Sequence, residues 1–341
     1  MIIRSRSPVR ISFAGGGTDV SPYTEDHGGC VINAAINKYA YATLELRDDN
    51  KIHFKSSDYN KELTFGSIND MKYDGDLDLF KSVVKHYKKS GINLSLRVEA
   101  PPRSGLGSSG SAFASLIGLF NHLKREHALT DYEIAELAYD LERKELKNPG
   151  GRQDQYVTVF GGINFIEFKG NDFVRVNPLK LSKNTIYELE KNLVIVNVGI
   201  RKQSGDIISD QTKRYKENKE EVIRALQKNK EFAIEMKKAL LRNDLNSFGK
   251  LLHNAWEEKK KYSSMISNDR IDNFYNKAKA AGAIGGKVSG AGGGGHMLFY
   301  CKPNTEITVA NVLEKLGAKI VPFTFDFKGL QTWEVQIWKN S

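Results

Sequence analysis
Long apolar runs, cysteines and metal-ligand clusters are all scarce in this sequence. No hydrophobic stretch approaches the roughly 18 residues that a membrane-spanning helix requires. Met1–Arg10 carries charge without the apolar segment of a secretory leader, so a soluble cytoplasmic protein is expected. Only Cys30 and Cys301 occur, too few for a disulfide framework, and the seven histidines offer neither an H-x-x-H pair nor a cysteine partner. Structural zinc is therefore not expected. The pattern G-x-x-x-x-G-K-[ST] is missing, which removes the P-loop reading.

What is present points to a sizeable enzyme or binding protein. At 341 residues and 40% hydrophobic content, the chain can bury more core than one domain usually holds, so two domains are expected. The formal charge of +10 would suit nucleic acid, an acidic membrane surface or an anionic small substrate. Much of the excess lies in mixed-sign helical stretches such as Lys213–Lys238, where a solvated helix face explains it, and no RNP-type aromatic pattern accompanies it. Neither a nucleic-acid nor a membrane partner is expected.

Periodicity divides the chain. Val9, Ile11 and Phe13 alternate with Arg10 and Ser12, predicting a half-buried first strand with Arg10 turned away from its apolar side. Further strands are expected at Tyr39–Leu46 and Leu94–Val98, and helices at Ser111–Lys124 and Tyr132–Leu146. Past a soft boundary near residue 185, Leu193–Val198 reads as a buried strand, followed by long Lys/Glu-rich helices through Ala281. Gly295–Cys301, Lys319–Phe327 and Thr332–Trp338 would complete a four-stranded sheet with it. The expected units are residues 1–185 and 186–341.

Two glycine-rich loops carry the chemistry. Arg103-Ser104-Gly105-Leu106-Gly107-Ser108-Ser109-Gly110-Ser111 runs into a helix start, where unpaired N–H groups and the helix dipole favour an anion. Serine hydroxyls there can donate to phosphate or hold Mg²⁺. Gly105–Gly110 also satisfies G-x-G-x-x-G, but a helix rather than a second parallel strand follows, which fits a dinucleotide site poorly. Ser111 stands where a G-x-S-x-G serine hydrolase needs glycine. The other loop, Lys287–Gly295, holds four successive glycines at 292–295, a cost in chain entropy that implies close approach to the backbone. A turn with a helix cap, or a flexible hairpin, would produce either loop alone.

With Ser7-Pro8-Val9-Arg10-Ile11-Ser12-Phe13-Ala14-Gly15-Gly16-Gly17-Thr18-Asp19 ahead of them, these loops resemble the three ordered motifs of the GHMP kinases. That resemblance implies an α+β fold, with a left-handed β-α-β N-terminal domain and a ferredoxin-like C-terminal domain. ATP and acceptor would lie between the two. Glu142 precedes Asp154 by twelve residues, and Gly151-Arg152-Gln153-Asp154-Gln155 is similar to the G-x-x-D-Q segment of the galactokinase branch. By resemblance, Asp154 faces the acceptor hydroxyl with Arg10 beside it, Glu142 and Ser109 hold Mg²⁺, and residues 103–111 surround ATP. Gly16, Gly17, Thr18, Asp19, Gly292 and Gly293 would meet the sugar.

The first motif departs from the galactokinase G-E-H-T-D-Y, reading Gly15-Gly16-Gly17-Thr18-Asp19-Val20. With Tyr23, Gly28-Gly29 and Asn33, it looks like the branch that phosphorylates heptose 7-phosphates for nucleotide-heptose synthesis. Fucokinases share part of the phrase. The acceptor's own phosphate would then need cations, and Arg152 and the pair Arg201-Lys202 are the expected ones, Arg201 foremost. A nicotinamide dehydrogenase and a nucleic-acid- or polysaccharide-binding protein are the rival classes.

Overall fold
The computed structural model describes residues 1–124, 127–199 and 204–336. Its first half is built on β1 (Ile2–Ala14), β2 (Gly29–Leu46), β3 (Ile52–Ser56), β4 (Lys61–Phe65), β5 (Ile92–Val98), β6 (Ile163–Lys169) and β7 (Phe173–Pro178). The helices of this half are α1 (Tyr23–His27), α2 (Asp78–Tyr87), α3 (Ser108–Leu123), α4 (Asp131–Tyr139) and α5 (Gln153–Phe160). The long β2 lies against β1 and pairs with β6 near its start and β5 near its end; β3 joins β5 in parallel. Apolar side chains of α2, α3 and α4 close over this sheet, with Phe113, Leu116, Ile117 and Phe120 among the buried ones.

The second half contains α6 (Lys183–Asn192), β8 (Leu193–Gly199), α7 (Ser204–Lys216), α8 (Glu220–Leu241), α9 (Leu245–Lys259) and α10 (Asp269–Ala281). It continues with β9 (Ala283–Val288), β10 (Gly295–Cys301), α11 (Glu306–Lys315) and β11 (Lys319–Ile320). Its sheet has the order β11-β8-β10-β9, fully antiparallel. The strand-helix-strand-strand-helix-strand succession is that of a ferredoxin-like unit with extra helices.

Three expectations change. The fourth strand of this sheet is β9, whose Gly285 and Gly286 interrupt any apolar pattern. A β-carbon on Gly285 would lie 2.1 Å from the Gly249 carbonyl of α9, so the strand trades side chains for close helix packing. Thr332–Trp338 was expected there, but β12 (Gln331–Glu334) pairs with residues 3–6 of β1 at the edge of the first sheet; Trp338 lies outside the described residues. Lys319–Phe327 is strand only at Lys319–Ile320, Phe325 making a single bridge to Ile36 of β2. The helix expected at Tyr132–Leu146 leaves α-geometry after Tyr139 and passes into a π-helical turn, Asp140–Glu145.

A register shift at Pro8/Val9 decides where the functional end of β1 points. Before it, Ser5 and Ser7 donate to the Ser115 and Thr158 carbonyls of α3 and α5. After it, the even-numbered Arg10 and Ser12 take over that face, the register stepping from Pro8 opposite Tyr39 to Val9 opposite Ile36 so that Asn37 and Lys38 of β2 have no partner on β1. Val9, Ile11 and Phe13 enter the core between the halves with Phe248, Leu252 and Leu298; Phe13 meets Phe248 edge-on at 5.2 Å. The polar side of β1 is thus covered by helices, and Arg10 is buried.

Candidate active site
A cleft of about 580 Å³ opens where the halves meet, lined by the ends of β1, α3, α5 and α9 and by the glycine-rich loops. The loop at 103–107 reaches it through left-handed backbone at Arg103, Gly105 and Gly107, and α3 begins at Ser108. Ser108 and Ser109 line the cleft, so the first turn of α3 presents its orphan N–H groups there. The loop of the third motif, 287–295, packs directly on that of the second motif, 103–107. Gly290 leaves no room for a β-carbon, which would sit 2.9 Å from Gly105 Cα, and on Gly295 it would sit 2.4 Å from the Ser104 carbonyl. His296 fastens the same contact, its backbone N–H reaching the Ser104 carbonyl at 3.0 Å.

Two carboxylates occupy distinct settings in this cleft. Glu142, from the π-helical turn, is buried and accepts hydrogen bonds from the Ser109 hydroxyl at Oε1 and from Gln155 Nε2 at Oε2, the latter 2.6 Å. The Arg143 guanidinium lies 3.2 Å from Glu142 Oε1. Asp154, in the first turn of α5, is gripped by Arg10: Nε and Nη2 approach the same oxygen, Oδ1, at 2.7 and 2.6 Å. Arg10 also donates through Nη1 to the Gly105 carbonyl at 2.6 Å, tying the phosphate-type loop to the carboxylate.

Beside them, Asp19 accepts from the Gly17 N–H at 3.0 Å and from the Gln153 amide groups at 3.1–3.2 Å. Burial pushes its carboxyl above the usual carboxylate range, and the Asp154 charge adds to this. Lys287 is buried below, donating to the Phe13 carbonyl at 3.1 Å. Burial and the like charges of Lys259 and Arg10 pull its ammonium well below the usual range. A helix N-terminus, a carboxylate with a hydroxyl beside it and an arginine-held carboxylate form a constellation suited to phosphoryl transfer.

Comparison with known proteins agrees. Residues 78–162 match the GHMP kinases N terminal domain and residues 236–320 the GHMP kinases C terminal domain. Over 339 residues the chain is 38% identical to D-glycero-alpha-D-manno-heptose 7-phosphate kinase of Campylobacter jejuni, covering 98% of this chain and 99% of that protein. The chain belongs to the GHMP kinase family. A crystal structure described as a D-glycero-D-manno-heptose 1-phosphate kinase from Bacteriodes thetaiotaomicron superposes with a TM-score of 0.82 at 34% identity, covering 98% of this chain and all 100% of the other. A putative sugar kinase from Campylobacter jejuni gives 0.79 at 35% identity, with 98% of each chain covered. The chain is thus an ATP-dependent kinase with the two-domain GHMP architecture.

Within this GHMP kinase, the expected site residues divide. Arg103, Gly105, Gly107, Ser108 and Ser109 line the cleft, while Ser104, Leu106, Gly110 and Ser111 are buried behind it; Ser111, for instance, donates to the Ser7 carbonyl at 2.7 Å. Gly16, Gly17 and Asp19 face the cleft, whereas Thr18 turns inward, donating to the Gly15 carbonyl at 2.8 Å and accepting from the Cys30 N–H at 3.1 Å. Gly292 and Gly293, expected against the sugar, pack on Ile266, Met265 and Ile207 instead. Arg152, expected to hold a phosphate, lies outside the lining: its guanidinium stacks 4.5 Å from the Tyr139 ring centroid and faces Glu136 at 3.7 Å. Arg152 caps the start of α5, and these contacts with Tyr139 and Glu136 turn its side chain away from the cleft that Gln153 and Asp154 line. Arg201 and Lys202 lie outside the described residues.

No role is read from the sequence for Gln153, Arg143, Lys259 or Lys287, and Gln155 enters only as the partner of Asp154 in the Asp-Gln pair. Gln153 and Gln155 flank Asp154, and a helix start beside a buried carboxylate is a place where amide donors are wanted. Lys259 and Arg143 sit in ordinary-looking helical charge patterns.

Proposed function
We propose that this kinase transfers the γ-phosphoryl group of ATP to the anomeric hydroxyl of D-glycero-D-manno-heptose 7-phosphate, giving the 1,7-bisphosphate and ADP. The observation that carries the reading is the Arg10–Asp154 pair at the floor of the cleft, together with the extent of the heptose-kinase likeness. Both Arg10 contacts fall on Oδ1. Oδ2 is then the atom to accept the proton of the acceptor hydroxyl as its oxygen forms the new bond to phosphorus and the bond from phosphorus to the ADP oxygen breaks. An anomeric hydroxyl is more acidic than an ordinary alcohol, which lightens the demand on the carboxylate. Arg10 holds Asp154 in place and, through the Gly105 carbonyl, fixes its distance from the phosphate loop.

The phosphates belong against Ser108, Ser109 and the first turn of α3, with the base toward the apolar end at Leu79, Leu96, Val98 and Ala112. Mg²⁺ fits the residues present. Glu142 offers one carboxylate beside the Ser109 hydroxyl, the donor set of an ion that takes its remaining ligands from phosphate and water. Bound there, Mg²⁺ would neutralise charge on the triphosphate. Gln155 orients Glu142 for that task. Asp19, held by Gln153, faces the sugar hydroxyls together with Ser12, whose Oγ is buried without a protein partner.

The two relatives' names mention phosphate at carbon 7 and at carbon 1, both of which a 1,7-bisphosphate carries. Such a product serves cytoplasmic nucleotide-heptose synthesis. The reading is tested by ADP release over heptose 7-phosphate, free heptose, galactose and fucose. A kcat/KM for heptose 7-phosphate at least about tenfold above the others is expected, the worth of one charge-assisted phosphate contact. Equal values for free heptose would refute the phosphorylated acceptor, and faster turnover of fucose or galactose would move the chain to another branch.

A further inference from the structure
We infer that Arg143 is a further catalytic residue, a guanidinium that grips the γ-phosphoryl group of ATP beside the metal-holding carboxylate. The inference rests on the kinase reading above. Four observations carry it. First, α4 gives way at Asp140 to a π-helical turn that ends at Glu145, and such wide turns are kept mostly where function repays their cost. Its effect is local and specific: the consecutive residues Glu142 and Arg143 both line the cleft.

Second, Arg143 makes only long contacts among the described residues. Its Nε lies 3.4 Å from the Gly151 carbonyl, and its Nη1 lies 3.4 Å from the Asn148 carbonyl and 3.2 Å from Glu142 Oε1. A guanidinium has five N–H donors in a rigid fork, and these three contacts, at or beyond the usual hydrogen-bond length, leave it under-used. Arg10, by contrast, is held by three contacts of 2.6–2.7 Å. Arg10 is already committed to protein, whereas Arg143 is poised for an anion.

Third, the chain makes room for Arg143 at a cost. A β-carbon on Gly150 would fall 2.3 Å from Arg143 Cζ, and one on Gly151 would fall 2.0 Å from Asp19 Oδ2. The Gly150-Gly151 pair therefore admits the guanidinium on one side and the sugar-facing carboxylate on the other. Fourth, Arg143 touches Glu142, which accepts from Ser109 at the N-terminus of α3. Through Glu142 its fork is thus tied to the N-terminus of α3, the anion-binding place against which the triphosphate is placed above. The contact with Glu142 offsets part of that carboxylate's charge; with the nucleotide bound Arg143 exchanges it for γ-oxygens, where charge-assisted paired hydrogen bonds form.

Calorimetry with the non-hydrolysable triphosphate analogue AMPPNP and with ADP, both with Mg²⁺ and without sugar, tests this on the full chain. Arg143→Ala should weaken AMPPNP binding by about 10- to 100-fold and change ADP binding by less than about threefold. In turnover, Arg143→Ala should lower kcat by about 10² or more, with part of the loss restored by added guanidinium and little restored by Arg143→Lys, which lacks the fork. Equal changes for AMPPNP and ADP, or an unchanged AMPPNP affinity, would overturn the assignment. So would a variant that keeps its AMPPNP affinity and loses only the preference for a phosphorylated sugar, since Arg143 would then serve the acceptor. A wild-type protein that bound neither nucleotide would overturn the kinase reading and the Arg143 role with it.

Discussion

Replacing Gly290 by alanine separates the loop-on-loop packing of the cleft from the mere cost of glycine substitution. Gly290 has φ +71° and Gly170 has φ +61°, so alanine meets similar left-handed backbone strain at both. Their surroundings differ. A β-carbon at 170 meets nothing within 4 Å, whereas at 290 it lies 2.9 Å from both Gly105 Cα and the Gly105 carbonyl oxygen. Ordinary contact begins at 3.4 Å, so the second and third loops must open by about half an ångström. Strain alone costs about 1–2 kcal/mol. Overpacking backbone against backbone adds about 1–3 kcal/mol. Urea unfolding should show Gly170→Ala destabilised by about 1–2 kcal/mol and Gly290→Ala by about 2–5 kcal/mol. The larger difference should appear in kcat, because Gly105 supplies the carbonyl that fixes Arg10. A shift of that order between catalytic groups is worth about tenfold to 10²-fold, while Gly170→Ala should turn over normally. Equal stability and equal kcat for the two variants would refute the claim that the third loop sets the second.

Asp154→Asn should lower kcat by about 10² or more with near-normal nucleotide binding, because it keeps the shape and removes the proton acceptor; turnover near wild type would remove Asp154 from the chemistry. Glu142→Gln should raise the Mg²⁺ concentration needed for half-maximal activity, and it should cost about 1–3 kcal/mol of stability, since an amide cannot accept from both Ser109 and Gln155; an unchanged Mg²⁺ titration would contradict the assignment. Cys30 and Cys301 are buried, and burial pushes both thiols up to about 12, so neither should react with a thiol reagent at pH 8 until denaturant is added. Rapid labelling of the native protein would contradict that.

Much of the site was legible because its signals are local. The glycines at 105–110, the helix behind them and the spacing from Glu142 to Asp154 all lie within one stretch, and helical periodicity is read from neighbours in sequence. The misplaced parts depend on distant ones. β9 hid behind Gly285 because its partner surface is the backbone of α9, and β12 was assigned to the wrong sheet because its partner is the first strand of the chain, more than 300 residues away. Alternation placed Arg10 on the polar side of β1 but not the bulge at Pro8/Val9 that turns it, buried, toward α5. Arg152 is near Asp154 in sequence but is drawn away from the cleft by Tyr139 and Glu136 of α4, partners that local sequence does not reveal. Arg143 was passed over because a regular helix would have turned it away from Glu142, and the π-helical turn carries no obvious mark in the sequence.

The central claim is transfer to the anomeric oxygen of a sugar that already bears a phosphate, and phosphorus NMR of a single incubation with Mg-ATP and D-glycero-D-manno-heptose 7-phosphate tests it most directly. The account predicts a new anomeric phosphate signal at carbon 1, with the 7-phosphate signal retained and ADP formed in equal amount. A phosphate appearing on any other carbon, or ATP consumed to free phosphate with the sugar unchanged, would contradict it.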